Sequence, residues 1–206
     1  RPPAQRTAGS STGSAVADGP AFYFDLGSPD AYLAAERVLQ TMPVATEWIP
    51  VVARELPGAE HYDAFRCAEE RDIVLARFAE QVGRRGLQPL RWPDPFPFDS
   101  TPAMLAATYA KQIGRTVAFG LAAFRQAFAG GRALDADTVL IAAAACEMHP
   151  AAVLKAIELR SVREELARRT AEAAALGVRD VPAIVVGGQV FHGDAALPGA
   201  ARAAAA

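Results

Sequence analysis

The chain has 206 residues, 51% of them hydrophobic, which suffices for a sizeable core in one domain or in one domain carrying a large insertion. Its net charge is −2 with acidic and basic residues interspersed, so nothing advertises a nucleic-acid surface or an acidic-lipid patch. No apolar run approaches the ~20 residues of a membrane span, and two cysteines, Cys67 and Cys146, do not make a disulfide scaffold.

Those two cysteines lie far apart in helix-like surroundings and read as reduced, buried thiols, since free cysteine is usually buried. A pairing between them is not fixed by sequence. They fit a reducing compartment at least as well as an oxidising one, and the expected location is cytoplasmic. Residues 1–20 are rich in Ser, Gly, Pro and Ala without apolar periodicity, which predicts a disordered tail. The stretch lacks the apolar region of an intact signal peptide, and a removed leader is left open.

The first regular element is AFYFDL, residues 21–26, short and apolar and ended by Gly27, which predicts a buried strand. Ser28–Pro29 then opens a helix: the hydroxyl can cap it, and proline suits the first helical position. Tyr32, Ala35, Leu39 and Met42 continue at helical spacing until Pro43. ATEWIPVV, residues 45–52, is a second strand, so the opening is a βαβ unit.

About a hundred residues with almost no strand signal follow. Val74 or Leu75, Phe78 and Val82 mark a helix closing near Gly83, and the proline-dense segment 91–102 predicts a loop. Helices are then expected from Pro102 to Gln112, from Arg115 to Ala129, from an Asp135 cap to Glu147, and in a short run from Pro150. Ser161 and Glu164 match a capping box for a helix that stops at Leu176–Gly177. Ala183–Val186 and Gln189–Phe191 read as a hairpin around Gly187–Gly188, and Asp194 starts a final alanine-rich helix. The fold class expected is α/β: residues 21–57 and 161–206 form one domain, and 58–160 form an all-helical insertion.

Three stretches carry a family resemblance: FYFDLGSPDAYLA (22–34), LRWPDPFPFDSTPAMLAA (90–107) and GVRDVPAIVVGGQVFHGDAAL (177–197). Together they resemble the DsbA-like branch of the thioredoxin fold. The nearest likeness is to the 2-hydroxychromene-2-carboxylate isomerases and the kappa-class glutathione transferases. The resemblance implies a thioredoxin-like fold with an inserted helical domain, a cis bond between Val181 and Pro182, and a homodimer.

In redox members of that superfamily the helix start carries Cys-x-x-Cys, whereas residues 28–31 here read Ser, Pro, Asp, Ala. Disulfide exchange needs a thiolate, so dithiol chemistry at this position is disfavoured. What the resemblance implies instead is a Ser28 hydroxyl that donates to the thiolate of a cosubstrate, glutathione or another low-molecular-weight thiol, with no metal. Asp30 departs from the family's usual uncharged residue and opposes a neighbouring thiolate through like charge.

The resemblance also assigns Val181 and Pro182 to the cosubstrate as an exposed main-chain edge. Asp194 is the acidic candidate for its γ-glutamyl unit, one residue before the family's usual position at Ala195. Arg91, Trp92, Phe96 and Asp99 fall on the substrate side, where the rings can stack on an aromatic molecule and Arg91 can meet a carboxylate. Set against each ligand role is a structural one: helix caps for Ser28 and Asp194, interdomain packing for the rings, and an exposed strand position for His192.

The functional expectation is a thiol-dependent isomerase acting on a small, possibly aromatic molecule. Its rivals are a kappa-type transferase and a non-catalytic peptide- or partner-binding protein.

Overall fold

The computed structural model describes residues 19–59 and 65–206. The tail expected over 1–20 therefore lies almost wholly outside the described residues. Four strands form one mixed sheet in the order β2-β1-β3-β4: β1 (Ala21–Phe24), β2 (Glu47–Pro50), β3 (Ala183–Val186) and β4 (Gln189–His192). β1 pairs parallel with β2 and antiparallel with β3, and β3 and β4 form the expected hairpin.

Because β1 is central, all four of its residues are buried, which explains its unbroken apolar run. Alternation sends Phe22 and Phe24 to one face, where both meet Trp48 of β2 edge-on and Phe24 meets Phe124. Tyr23, on the opposite face, faces charges from Arg169 and Glu172; burial first, then Glu47 and Glu172, raise its phenol above the usual range.

Helix α1 (Pro29–Thr41) crosses from β1 to β2 and buries Tyr32, which packs on Phe124 and Phe128. The helices between β2 and β3 are α2 (Ala68–Arg85), α3 (Thr101–Gln112), α4 (Thr116–Phe124), α5 (Ala136–Ala144), α6 (Pro150–Glu158) and α7 (Arg160–Ala175). α8 (Leu197–Ala204) closes the chain against β3 and α1.

Several local expectations are corrected. α2 passes through Gly83 and ends at Gly86, which takes the left-handed conformation (φ 63) that glycine alone adopts at little cost. α4 does not run straight to Ala129: residues Arg125–Ala129 form a π-helical turn. The capping box at Ser161 does not form, because α7 follows α6 after the single residue Leu159 and Ser161 is already helical; Glu164 binds Arg160 instead. Of the two cysteines, only Cys146 is buried. Cys67 is exposed at the start of α2.

Candidate functional site at one end of the sheet

The topology gathers four chain segments at one end of the sheet. β1 and β2 run parallel, so the turn after Phe24 and the turn after Pro50 leave on the same side. β3 enters there, since Tyr23 faces Ala183 in antiparallel register, and β4 leaves there, where the Gly193 N–H donates to the Pro182 carbonyl at 2.8 Å. The Val181–Pro182 peptide bond is cis, as are Asp94–Pro95 and Phe96–Pro97.

Ser28 occupies the N-cap of α1, and its Oγ accepts the Ala31 N–H at 3.1 Å. It is 2% exposed. Accepting that bond leaves the hydroxyl proton available for donation, so capping and ligand stabilisation are compatible roles for one oxygen. The helix start adds its partial positive charge. Asp30, in the first turn, pairs with Arg77 of α2 at 3.7 Å, so a guanidinium answers part of the carboxylate's field beside Ser28.

Beneath Ser28 lies Asp25, a residue the motif reading passed over. It is 3% exposed and accepts from the Gly27 N–H at 2.8 Å and the Ala53 N–H at 2.9 Å. Burial raises its carboxyl above the ordinary range, against the opposing pull of those two N–H groups, the Ser100 hydroxyl and Arg54. Asp25 thus ties the β1–α1 turn to the segment after β2 and to the start of α3. Gly27 leaves room for this arrangement, since a Cβ there would crowd Ser100 at 3.1 Å from its Cβ and 3.2 Å from its Oγ. The signal in the sequence was a lone carboxylate closing an otherwise apolar strand.

The backbone before Pro182 is also engaged internally. Arg179 N–H donates to His192 Nε2 at 3.0 Å, and its carbonyl accepts from Gly58 N–H at 2.6 Å. His192 is therefore an exposed strand residue with a specific acceptor role. Gly58 admits no side chain, because a Cβ would lie 2.6 Å from the Arg179 oxygen. Val181 N–H, buried with its residue, donates to Asp180 Oδ1 at 2.7 Å.

The remaining candidates divide. Trp92 and Phe96 are half-buried and touch each other at 4.9 Å between centroids. Trp92 also meets Phe78 and Phe128, and Phe96 meets Phe65 and Phe128, so both rings serve the packing between α2, the loop and the end of α4. Arg91 is exposed, its N–H anchored to the Phe128 carbonyl at 2.8 Å. Exposed Asp99 accepts the Thr101 N–H at 2.9 Å, and the Thr101 hydroxyl and N–H hold its carboxyl below the usual range. Asp194 is 4% exposed and forms ion pairs with Arg37, at 2.6 Å, and with Arg85. Its carboxylate joins α1 and α2 to the corner after β4 instead of capping α8.

A mixed sheet with a hydroxyl-capped helix leaving its central strand, set beside a cis-proline strand start, defines a thioredoxin-like domain. More narrowly, the chain belongs to the DSBA-like thioredoxin domain family, whose model matches residues 21–205. No curated protein matches it in sequence. Among solved structures, a 2-hydroxychromene-2-carboxylate isomerase superposes with a TM-score of 0.75 at 18% identity, covering 86% of this chain and 90% of that one. A probable DsbA oxidoreductase from Streptomyces coelicolor gives 0.70 at 19% identity, covering 89% and 88%. The cytosolic disulfide reductase DsbM from Pseudomonas aeruginosa, solved with GSH, gives 0.60 at 16%, covering 91% and 96%.

Proposed function

We propose that the protein is a thiol-dependent isomerase resembling the 2-hydroxychromene-2-carboxylate isomerases. The observation that carries this reading is the Ser28 hydroxyl at the start of α1, in a site that supplies no thiol of its own. Cys67 and Cys146 are both free, one heading α2 and the other buried beyond α5. The nucleophile must then come from a cosubstrate such as glutathione.

In the proposed cycle Ser28 and the helix start stabilise that thiolate by hydrogen bonding and dipole. Sulfur adds to one carbon of a conjugated double bond, and the electron pair moves onto the substrate's carbonyl oxygen as an enolate. Rotation about the resulting single bond follows. The enolate then re-forms the double bond and expels the thiolate, so no net redox change occurs. The half-open faces of Trp92 and Phe96 provide the aromatic side of the site, with Arg91 nearby in sequence for a carboxylate.

Isothermal titration with reduced glutathione tests the first step. Wild type is expected to bind, Ser28→Ala to lose about tenfold in affinity, a charge-assisted hydrogen bond being worth about 1.5–3 kcal/mol, and Ser28→Thr to retain most of it. Absence of binding by wild type, or equal binding by Ser28→Ala, would count against the reading.

A further inference from the structure

The segment after β2 reaches this end of the sheet with a backbone N–H and a guanidinium. The N–H belongs to Ala53 and donates to Asp25 Oδ2 at 2.9 Å, while Asp25 Oδ1 takes the Gly27 N–H at 2.8 Å and the Asp25 carbonyl takes the Ser28 N–H at 3.0 Å. One aspartate thus fixes the short helical turn Ala53–Glu55 beside the start of α1, and the next residue along that turn is Arg54. Arg54 is exposed, and among the described residues it forms no ion pair. Its charge is felt at two carboxylates nonetheless. Burial raises the Asp25 carboxyl and Arg54 pulls against it; the Thr101 hydroxyl and N–H lower Asp99, and Arg54 adds to them. Asp99 commits Oδ1 to the Thr101 N–H at 2.9 Å, and Arg91 is anchored against the turn that ends α4, its N–H on the Phe128 carbonyl at 2.8 Å.

We infer that Arg54 is a specificity-determining residue, the cation that holds the carboxylate of an aromatic, conjugated substrate while the reacting carbon faces the thiol at Ser28. The inference rests on the thiol reading above. A guanidinium meets a carboxylate with two parallel hydrogen bonds, a match that an amide or ester does not offer. The proline-rich loop supplies the span. Trp92 and Phe96 carry its rings, Asp99 lies in the field of Arg54, and Ser100 packs against Gly27 next to Ser28. From Phe96 to Asp99 the chain covers at most about 11 Å. An acid whose ring rests on Phe96, with one double bond between ring and carboxylate, fits that span and passes its double bond in front of Ser28.

The experiment titrates trans-cinnamate and trans-cinnamamide, which share ring and double bond and differ in charge, into wild type, Arg54→Gln, Arg54→Lys and Arg179→Gln. Wild type is expected to prefer the acid by about tenfold, the difference that one charge-assisted pair makes. In Arg54→Gln the preference should fall to about one, with the melting temperature unchanged because the side chain is exposed. Arg54→Lys keeps the charge without the fork and should retain about threefold. Arg179→Gln removes another exposed cation, two residues ahead of Val181, and should keep the full preference. Reduced glutathione, titrated into the same proteins, should bind wild type and Arg54→Gln within about twofold of each other. No preference in wild type, a preference that survives in Arg54→Gln, or one lost equally in Arg179→Gln would overturn the assignment, as would an Arg54→Gln loss confined to glutathione. A preference lost in Arg91→Gln and kept in Arg54→Gln would return the carboxylate to Arg91 and overturn it too. Glutathione failing to bind wild type, with the Arg54-dependent preference for cinnamate intact, would overturn the thiol reading alone.

Discussion

A carboxylate that ends an apolar strand and is 3% exposed, as Asp25 is, must either give up its charge or be supplied with donors. Here the two tendencies compete, with burial winning over the Gly27 and Ala53 N–H groups and the Ser100 hydroxyl, so the carboxyl is held above its ordinary value of 3.8. The consequence for stability has a definite sign. A folded state with the higher pKa binds more protons than the unfolded chain, so Asp25's contribution is full below the ordinary carboxylate pKa. It is lost as pH rises from there through the raised folded value. Denaturant unfolding of wild type and Asp25→Asn over a pH series should show the wild-type advantage shrinking as pH climbs from about 4. A difference flat in pH would be inconsistent with a titrating Asp25. Ser28 could be picked out from sequence because its chemistry is local, a cap before a proline, and Pro182 through the resemblance carried by residues 177–197. Asp25 could not, since Ala53 lies 28 positions away and nothing in the strand announces that pairing.

At the scale of elements, α2 differs from its neighbours in how it is attached. Of its 18 residues only Phe78 and Val82 are buried. It is held by Phe78 on Trp92, Arg85 on Asp194 and Arg77 on Asp30. An element tied by a few side chains opens locally at lower cost than the whole molecule unfolds. Phe78→Ala, a change that costs about 3–5 kcal/mol in a closed core, is expected to raise hydrogen exchange across 68–85 well before it lowers the global melting transition. Exchange in α2 unchanged by the substitution would show that Phe78 is not its anchor. The amphipathic spacing of Val74, Phe78 and Val82 made the helix readable. Its end was misjudged because Gly83 sits at an open helical position where missing side-chain atoms meet nothing within 4 Å, while Gly86 does the stopping. The capping box at Ser161 failed for a related reason. Four residues that satisfy a local rule do not reveal that another helix ends one residue upstream and sets the start of α7.

At the scale of the whole molecule, the order of elements was legible because hydrophobic period and punctuation both changed at the right places. Short unbroken apolar runs marked the strands and 3.6-residue apolar spacing the helices, with Gly and Pro between. The sheet order β2-β1-β3-β4 follows once β1 is recognised as buried on both faces. What the chain order could not disclose is the convergence of Asp25, Ala53, Ser100 and Gly58 on one sheet end, since those contacts join segments that no local pattern relates. The same architecture places neither thiol at the start of α1, so the purified protein is expected to leave insulin disulfides intact in a dithiothreitol turbidity assay. Catalysed precipitation above the uncatalysed rate would point to a redox role. The uneven placement of the two sulfurs has a practical side as well. With Cys146 enclosed and Cys67 in the open at the head of α2, a maleimide fluorophore under native conditions should settle on one atom. The wild-type sequence thus arrives with its own reporter for motions of the helix that leans on Asp30.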